Sequence, residues 1–266
     1  MSVLVVIPAR YASTRYPGKP LVKLKGASGI RKTLIRRSWE AAMAATGIDR
    51  VVVATDDERI SNEAKGFGAE VVMTSEACAN GTERCADALR NLGQRFDIIV
   101  NLQGDAPLTP AWFVEDLVAA LRERPDVGVA TPVLRCDVEA LASFQEDRRN
   151  GRVGGTTAVF DRQNRAMYFS KEVIPHVAQL PAEGETVPVF HHVGVYAYRP
   201  DALDQYLKWP AGWLETQEGL EQLRFMENGV PVLCVEVEGR DRAFWELNNP
   251  EDVARIEARL AEMGVE

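Results

Sequence analysis

The chain has 266 residues, of which 46% are hydrophobic and 26% charged, with a formal net charge of -8. That balance suits a soluble globular protein. With no apolar run near the length of a membrane span and no basic leader ending in a cleavage site, it predicts a cytoplasmic protein without membrane contact. The acidic total argues against general nucleic-acid binding, and Cys78, Cys85, Cys136 and Cys234, scattered without CxxC spacing, argue against a zinc site or a disulfide framework. The length is enough for one large α/β domain or two small ones.

The run Val3 to Ile7 has the continuous apolar, β-branched character of a strand buried on both faces, and Pro8, which cannot donate to a ladder, is expected to end it. Beyond it Arg10, Arg15 and Lys19 stand among Ala12, Ser13, Thr14, Pro17 and Gly18. A buried strand that empties into a basic loop is how open α/β sheets place polyphosphates. The spacing is neither GxxxxGK[ST] nor GxGxxG, so side-chain cations rather than a glycine nest would hold the anion. A solvated basic loop is the plain alternative.

Further along, apolar spacing predicts a helix over about 30–45, with Leu34, Ile35, Trp39, Ala42 and Met43 on one face and Gly47 ending it. A strand over 51–54, a helix over 58–67 and a strand over 71–73 complete a βαβαβ rhythm, which implies a parallel sheet with helices on its faces. Asn80 to Arg84 precede a helix over 85–92, with Thr82 as a plausible N-cap. A strand over 98–102 runs into Gln103-Gly104-Asp105-Ala106-Pro107, where an aspartate at a strand's carboxyl end beside a glycine suits a magnesium ligand, or caps the helix over 110–122. There follow a strand over 128–133, a short helix over 138–144, a basic turn over 151–155 flanked by Arg148, Arg149 and Arg152, and a hairpin of 156–161 with 166–169 about Gln163-Asn164. His191 and His192 lie on a strand and point to opposite faces, so they do not converge on one ion. An amphipathic helix spans 214–224 with Leu220, Leu223 and Phe225 inward, a strand covers 230–237, and a last helix over 250–263 opens with Asn249 as N-cap and Pro250 at the first helical position.

Ile7 to Leu21, IPARYASTRYPGKPL, resembles almost letter for letter the opening motif of the CMP-Kdo synthetases, the 3-deoxy-manno-octulosonate cytidylyltransferases. The resemblance continues in order along essentially the whole chain. Asn80-Gly81-Thr82-Glu83-Arg84 is similar to the family's SGTER loop over the cytosine base, with Asn80 for Ser and Cys78 for a His two positions earlier. Residues 103–107 resemble QGDEP, with Ala106 for Glu. Tyr168-Phe169-Ser170-Lys171 resembles YFSR, whose arginine meets the sugar acid's carboxylate; Lys171 pairs with a carboxylate without a two-pronged grip. Residues 155–159 lack the lysine of the family's VKVV. Phe190 to Tyr198 is similar to xHxGxYxYR, Leu220 to Arg224 is LEQLR, and Leu247 to Asp252 resembles VDTPED with Asn248 in place of an aspartate that binds magnesium.

The resemblance implies an α/β, Rossmann-like nucleotidyltransferase fold, a mostly parallel sheet with helices on both faces and a small α+β insertion. Within a single domain, 1–133 and 226–266 would form the CTP-binding core, and 134–225 a smaller sugar-binding and dimerisation subdomain. It implies a Mg²⁺-dependent homodimer that joins CMP from CTP to Kdo for lipopolysaccharide or capsule synthesis. The catalytic residues would be Lys19, Arg10 and Asp105; the CTP contacts Ala9, Arg10, Ser13, Arg15, Lys19, Asn80, Gly81, Thr82, Arg84 and Gln103. The sugar contacts would be Gln103, Lys171, His192, Tyr196, Glu221 and Gln222, and the metal ligands Asp105 and Asn248. A satisfied core histidine is the alternative for His192, and a solvated helix face for Glu221. Lys171, the missing lysine and Asn248 leave open a related acid sugar (8-amino-Kdo or a nonulosonate) or a CTP-binding paralogue without turnover.

Overall fold

The computed structural model describes residues 1–12, 16–104, 107–153, 155–182, 184–240, 247 and 249–265. The apolar run at the start becomes β1 (Val3–Ala9), whose residues from Val3 to Ile7 are fully buried. The strand continues through Pro8 instead of stopping there. Its ladder with the strand on one side ends at Val6, while on the other side pairing goes on to Ala9, so the missing donor falls where only one neighbour remains.

A small antiparallel hairpin follows, β2 (Lys23–Lys25) with β3 (Arg31–Thr33). It takes the first residues of the predicted helix, so α1 (Leu34–Met43) begins later than its spacing implied, and Met43 ends exposed. Next come β4 (Arg50–Thr55), α2 (Glu58–Gly66), β5 (Glu70–Met73), α3 (Gly81–Leu92) and β6 (Ile98–Leu102). After them lie α4 (Ala111–Glu123), β7 (Val129–Arg135) and α5 (Val138–Arg149). The last of these is longer than predicted and absorbs the flank of the basic turn: Arg148 pairs with Glu172, Arg149 with Glu146 and Arg152 with Asp147.

The predicted hairpin is present as β8 (Thr156–Phe160) and β9 (Ala166–Ser170), with Asn164 at a left-handed φ of 60° in its turn. The chain then forms β10 (Phe190–His192), β11 (Val195–Tyr198), α6 (Pro200–Tyr206), α7 (Trp213–Glu218), α8 (Leu223–Glu227), β12 (Val232–Val237) and α9 (Asp252–Glu262). The single helix predicted over 214–224 is thus two, parted at Gly219, whose φ of 63° ends α7 in the left-handed conformation that glycine takes without strain. Leu223 and Phe225 are buried as expected, and Leu220 is half-buried. The last helix begins after a turn over 249–252, in which the Asn249 amide donates to the Asp252 carboxylate, so Asn249 is not its N-cap.

One ten-stranded sheet runs in the order β5-β4-β1-β6-β11-β7-β10-β8-β9, with β12 also paired to β7. The first four strands are parallel; β11 is antiparallel to both β6 and β7. β10 and β11 act as one strand along β7, broken at 193–194, and there the sheet forks: β11 joins the parallel core and β10 carries the sheet on to β8 and β9. Residues 134–225 therefore extend the core sheet itself. Alternate residues of β1 feed two cores: Val3, Val5 and Ile7 pack under α1, α2 and α4, and Leu4 and Val6 under α3, α6 and α8. Strand order reverses between β1 and β6, and sheets of this kind bind ligands beyond the carboxyl ends of the strands at such a point. Among the described residues no helix is long and apolar enough to cross a membrane.

Candidate functional site

At the end of β1 Ala9 is buried and Arg10 exposed, with its Nη1 donating to the Ala79 carbonyl at 3.4 Å. The loop after it is pinched shut: the Gly18 amide donates to the Tyr11 carbonyl at 2.9 Å, and Gly18 adopts φ 70° against the Tyr11 ring. The Arg59 guanidinium lies over the same ring, 3.2 Å from its centroid. Lys19, half-buried, opens a 3-10 turn (Lys19–Leu21) anchored by buried Pro20. Ser13 and Arg15 lie outside the described residues, as do Asp105 and Asn248.

Opposite this loop, α3 starts earlier than predicted, at Gly81. Its N-cap is Asn80, not Thr82: the Asn80 Oδ1 accepts the Glu83 amide at 2.9 Å. The Asn80 Nδ2 donates to the Tyr206 hydroxyl at 2.8 Å. Thr82 is turned inward, with Oγ1 2.7 Å from the Tyr198 hydroxyl and its amide donating to Glu221 Oε2 at 2.9 Å. Gly81 passes so close to β6 that a Cβ there would lie 3.1 Å from Asn101 Nδ2. Arg84 is only 3% exposed and sits beneath the loop, bonded to Thr74 Oγ1 at 2.6 Å and paired with Asp56 at 3.3 Å.

Glu221 is no solvated helix face. Its carboxylate spans the Thr82 amide and Gln103 Nε2, the latter at 2.8 Å, and so joins α3 to the end of β6. Gln222, 1% exposed, accepts the Tyr196 hydroxyl at 3.0 Å. At the end of β9 Glu218 accepts the Lys171 amide at 2.9 Å and the Ser170 hydroxyl at 2.7 Å. The Lys171 ammonium reaches the turn at Gly219, 3.0 Å from where a Cβ would stand.

His191 and His192 diverge as strand neighbours must: His191 packs edge-on against Phe144, and His192 against Phe169 and Tyr196. His192 is 5% exposed, with Nε2 2.9 Å from Thr131 Oγ1. Because that hydroxyl donates to the Val195 carbonyl at 2.8 Å, the network assigns the His192 proton to Nε2 and leaves Nδ1 as an acceptor. Burial, reinforced by neighbouring His191, pulls the His192 pKa down to about 3, and burial pulls half-buried His191 down to about 4. Both rings are neutral at working pH. The unfolded chain takes up a proton near pH 6.5 where the fold does not, so stability is full above that pH and falls as pH drops. For His192 the expected loss between pH 7.5 and 5 is about 2 kcal/mol, by linkage. Urea unfolding at the two pH values checks it, and His192→Gln should show a shallower pH dependence; an unchanged slope would contradict the assignment.

Among the described residues no group of three His, Cys, Asp or Glu side chains is placed to hold a metal. All four cysteines are free, and burial pushes the Cys136 and Cys234 thiols up to about 11 and about 12. A depression of about 630 Å³ between α1 and α2, lined by Lys23, Arg36, Arg59 and Phe67 among others, contains none of the predicted site residues.

Several residues that organise the site carried no functional reading in the sequence. Tyr198 shares a face with Tyr196 by strand alternation, a signal available in the YxY spacing. Thr131, Tyr206, Glu215, Glu218 and the Arg224 at the end of LEQLR join elements far apart in sequence, which no local pattern announces.

Residues 4–238 match the family model described as cytidylyltransferase. A 3-deoxy-manno-octulosonate cytidylyltransferase of Maricaulis maris (strain MCS10) is 45% identical over 264 residues, spanning 99% of this chain and 99% of that protein. One of Syntrophotalea carbinolica is 42% identical, spanning 98% and 99%. A solved structure of CMP:2-keto-3-deoxy-manno-octonic acid synthetase complexed with CTP superposes with a TM-score of 0.83 at 32% identity, covering 99% of this chain and 100% of that one.

Proposed function

The chain belongs to the 3-deoxy-manno-octulosonate cytidylyltransferase family, and from that premise we propose that it transfers CMP from CTP to Kdo with release of pyrophosphate. The observation that carries this reading beyond likeness is the Glu221 carboxylate, which holds the Asn80–Thr82 loop and Gln103 in one hydrogen-bonded unit. The loop we assign to the base and the segment we assign to the sugar meet at that carboxylate, and Arg10 reaches the Ala79 carbonyl next to them, which supports the reading.

In this assignment Arg10, Arg15 and Lys19 neutralise the triphosphate, Ala9 and Ser13 are further CTP contacts, and Asn80, Gly81 and Thr82 border the cytosine. Arg84 supports that loop from below. Gln103, His192 through Nδ1, Tyr196, Glu221 and Gln222 take the sugar hydroxyls, and Lys171 takes the carboxylate. The anomeric hydroxyl oxygen attacks the α-phosphorus in line, the bond to the β-phosphate breaks, and the hydroxyl proton leaves to solvent. Positioning and charge neutralisation do most of the work.

Magnesium suits the donor chemistry: Asp105 and Asn248 offer hard oxygens, and at Gly104 the backbone passes so close to β1 that a Cβ would stand 3.3 Å from the Pro8 carbonyl. When bound, the ion would supply further charge neutralisation to the phosphates. A homodimer and a cytoplasmic location belong to the same proposal; the exposed Met167 on β9, the last strand of the sheet order, supports an interface there. The shorter, single-pronged Lys171 favours one second reading, a related acid sugar in place of Kdo.

Pyrophosphate release from each of the four nucleoside triphosphates, with Mg²⁺ and with or without Kdo, tests the assignment. Release is expected only with CTP and Kdo together. CTP binding without pyrophosphate release in the presence of Kdo, but with release in the presence of another acid sugar, moves the substrate to the second reading. Failure with every acid sugar overturns the activity.

A further inference from the structure

We propose that Arg224 is a positioning residue that couples occupancy of the base loop to occupancy of the sugar segment. The inference rests on the cytidylyltransferase reading of those two segments. Arg224 is 4% exposed, and its guanidinium is shared between carboxylates of α3 and α7. Its Nε and Nη2 form a two-pronged pair with Glu215 at 2.6 and 2.7 Å, and its Nη1 donates to Glu83 Oε1 at 3.0 Å. Glu83 lies in the first turn of α3, and its other oxygen accepts the amide of Ala79, the residue whose carbonyl meets Arg10. Glu215 lies in α7, six residues before Glu221.

A second tie runs parallel to the first. The guanidinium lies 4.1 Å from the centre of the Tyr206 ring, and the Tyr206 hydroxyl accepts from Asn80 Nδ2 while facing Glu215 Oε1 at 3.3 Å and the Glu221 carbonyl at 3.2 Å. Asn80 and Glu221 are thus tied through one phenol, and Ala79 and Glu215 through one cation. Only a planar fork reaches both carboxylates with this geometry.

A buried ion network is a weak device for stability, since apolar groups of equal volume often do as well. Its placement points to another role. It joins the loop assigned to the cytosine with the segment assigned to the sugar, and Gly219 breaks the helix between its two ends. A ligand that orders residues 80–82 then leaves less ordering to be done when the second ligand meets Glu221 and Gln222, which is positive coupling of binding.

The test measures the affinity for Kdo with and without saturating cytidine 5′-(α,β-methylene)triphosphate, which cannot react, by titration calorimetry. In the unaltered chain the nucleotide should tighten Kdo binding by about 10-fold, within the usual range of coupling. Glu83→Gln and Tyr206→Phe, which keep shape and packing, should each reduce that factor to about 2-fold or less while changing Kdo affinity in the absence of nucleotide by less than about 2-fold. Ile60→Val, a core change under α2 remote from both ties, should leave the factor intact and so separates coupling from general loosening. If the two variants keep the full factor, or if the unaltered chain binds the two ligands independently, the coupling role is overturned while the cytidylyltransferase reading stands. If the unaltered chain binds neither ligand, that reading falls and the coupling with it.

Discussion

Lys19→Met is expected to lower kcat for pyrophosphate release by about 10²–10³-fold, the cost of removing one preorganised group from a developing charge. The backbone that carries Lys19 is fixed by its neighbours. Gly18, at φ 70°, folds the chain back onto Tyr11, and the next residue, Lys19, opens a short 3-10 turn pinned by buried Pro20. That turn stands beyond the carboxyl end of β1, at the point where strand order reverses. Because Pro20 and the Gly18–Tyr11 closure are untouched, unfolding free energy should change by no more than about 0.5 kcal/mol. Lys19→Arg retains the charge, so CTP affinity should largely persist while kcat recovers only in part, since a broad planar fork does not replace a compact point charge. Steady-state kinetics with a parallel urea melt reads both. A fall in kcat of less than about tenfold would remove Lys19 from the catalytic group.

The parts of this molecule legible in the sequence are those set by neighbours a few residues away. The unbroken apolar run of β1, the alternation of strands with helices up to β6 and the Asn164 hairpin follow from periodicity and turn chemistry, and the sheet uses them as read. Errors cluster where distant contacts compete with local rules. Pro8 stays in its strand because only one neighbour is still pairing there. Asn80 caps α3 because Thr82, equally fit by residue type, is drawn inward by Tyr198 and Glu221. The helix read over 214–224 breaks at Gly219, with Glu218 turned to the end of β9.

The candidate site divides along the same line. Its family motifs single out Gln103, Tyr196, Glu221 and Gln222, and the fold brings them into two hydrogen-bonded pairs. Motif letters did not say that Arg84 serves beneath the loop, or that His192 spends its Nε2 on Thr131. Such roles depend on what a side chain meets beyond its own motif, as with Thr131 and His192 at a separation of 61.

Arg224 shows the consequence most sharply, and Arg224→Met should be the most destabilising single change in the site. Burial disfavours its cation, but the Glu215 carboxylate outweighs that and holds its pKa above the ordinary arginine value. Methionine fills a similar volume, so little packing is lost; what remains is a buried Glu215 carboxylate bonded, among the described residues, to the Gly212 amide and the Tyr206 hydroxyl. Orphaning one partner of a buried pair costs about 3–5 kcal/mol. At about 2–4 °C per kcal/mol for a chain approaching this size, the melting temperature should fall by roughly 6–20 °C. The cost belongs to the stranded charge rather than to the lost bonds, and this can be separated. Glu215→Gln combined with Arg224→Met removes the charge as well and should recover more than half of the stability lost by Arg224→Met alone, a coupling visible in a double-mutant cycle. If Arg224→Met unfolds within about 1 kcal/mol of the unaltered chain, the pair is better solvated than its burial indicates. If the double variant is no more stable than the single one, the loss lies in the bonds to Glu83 and the Trp209 carbonyl, and the bridge to α3 is the stabilising arm.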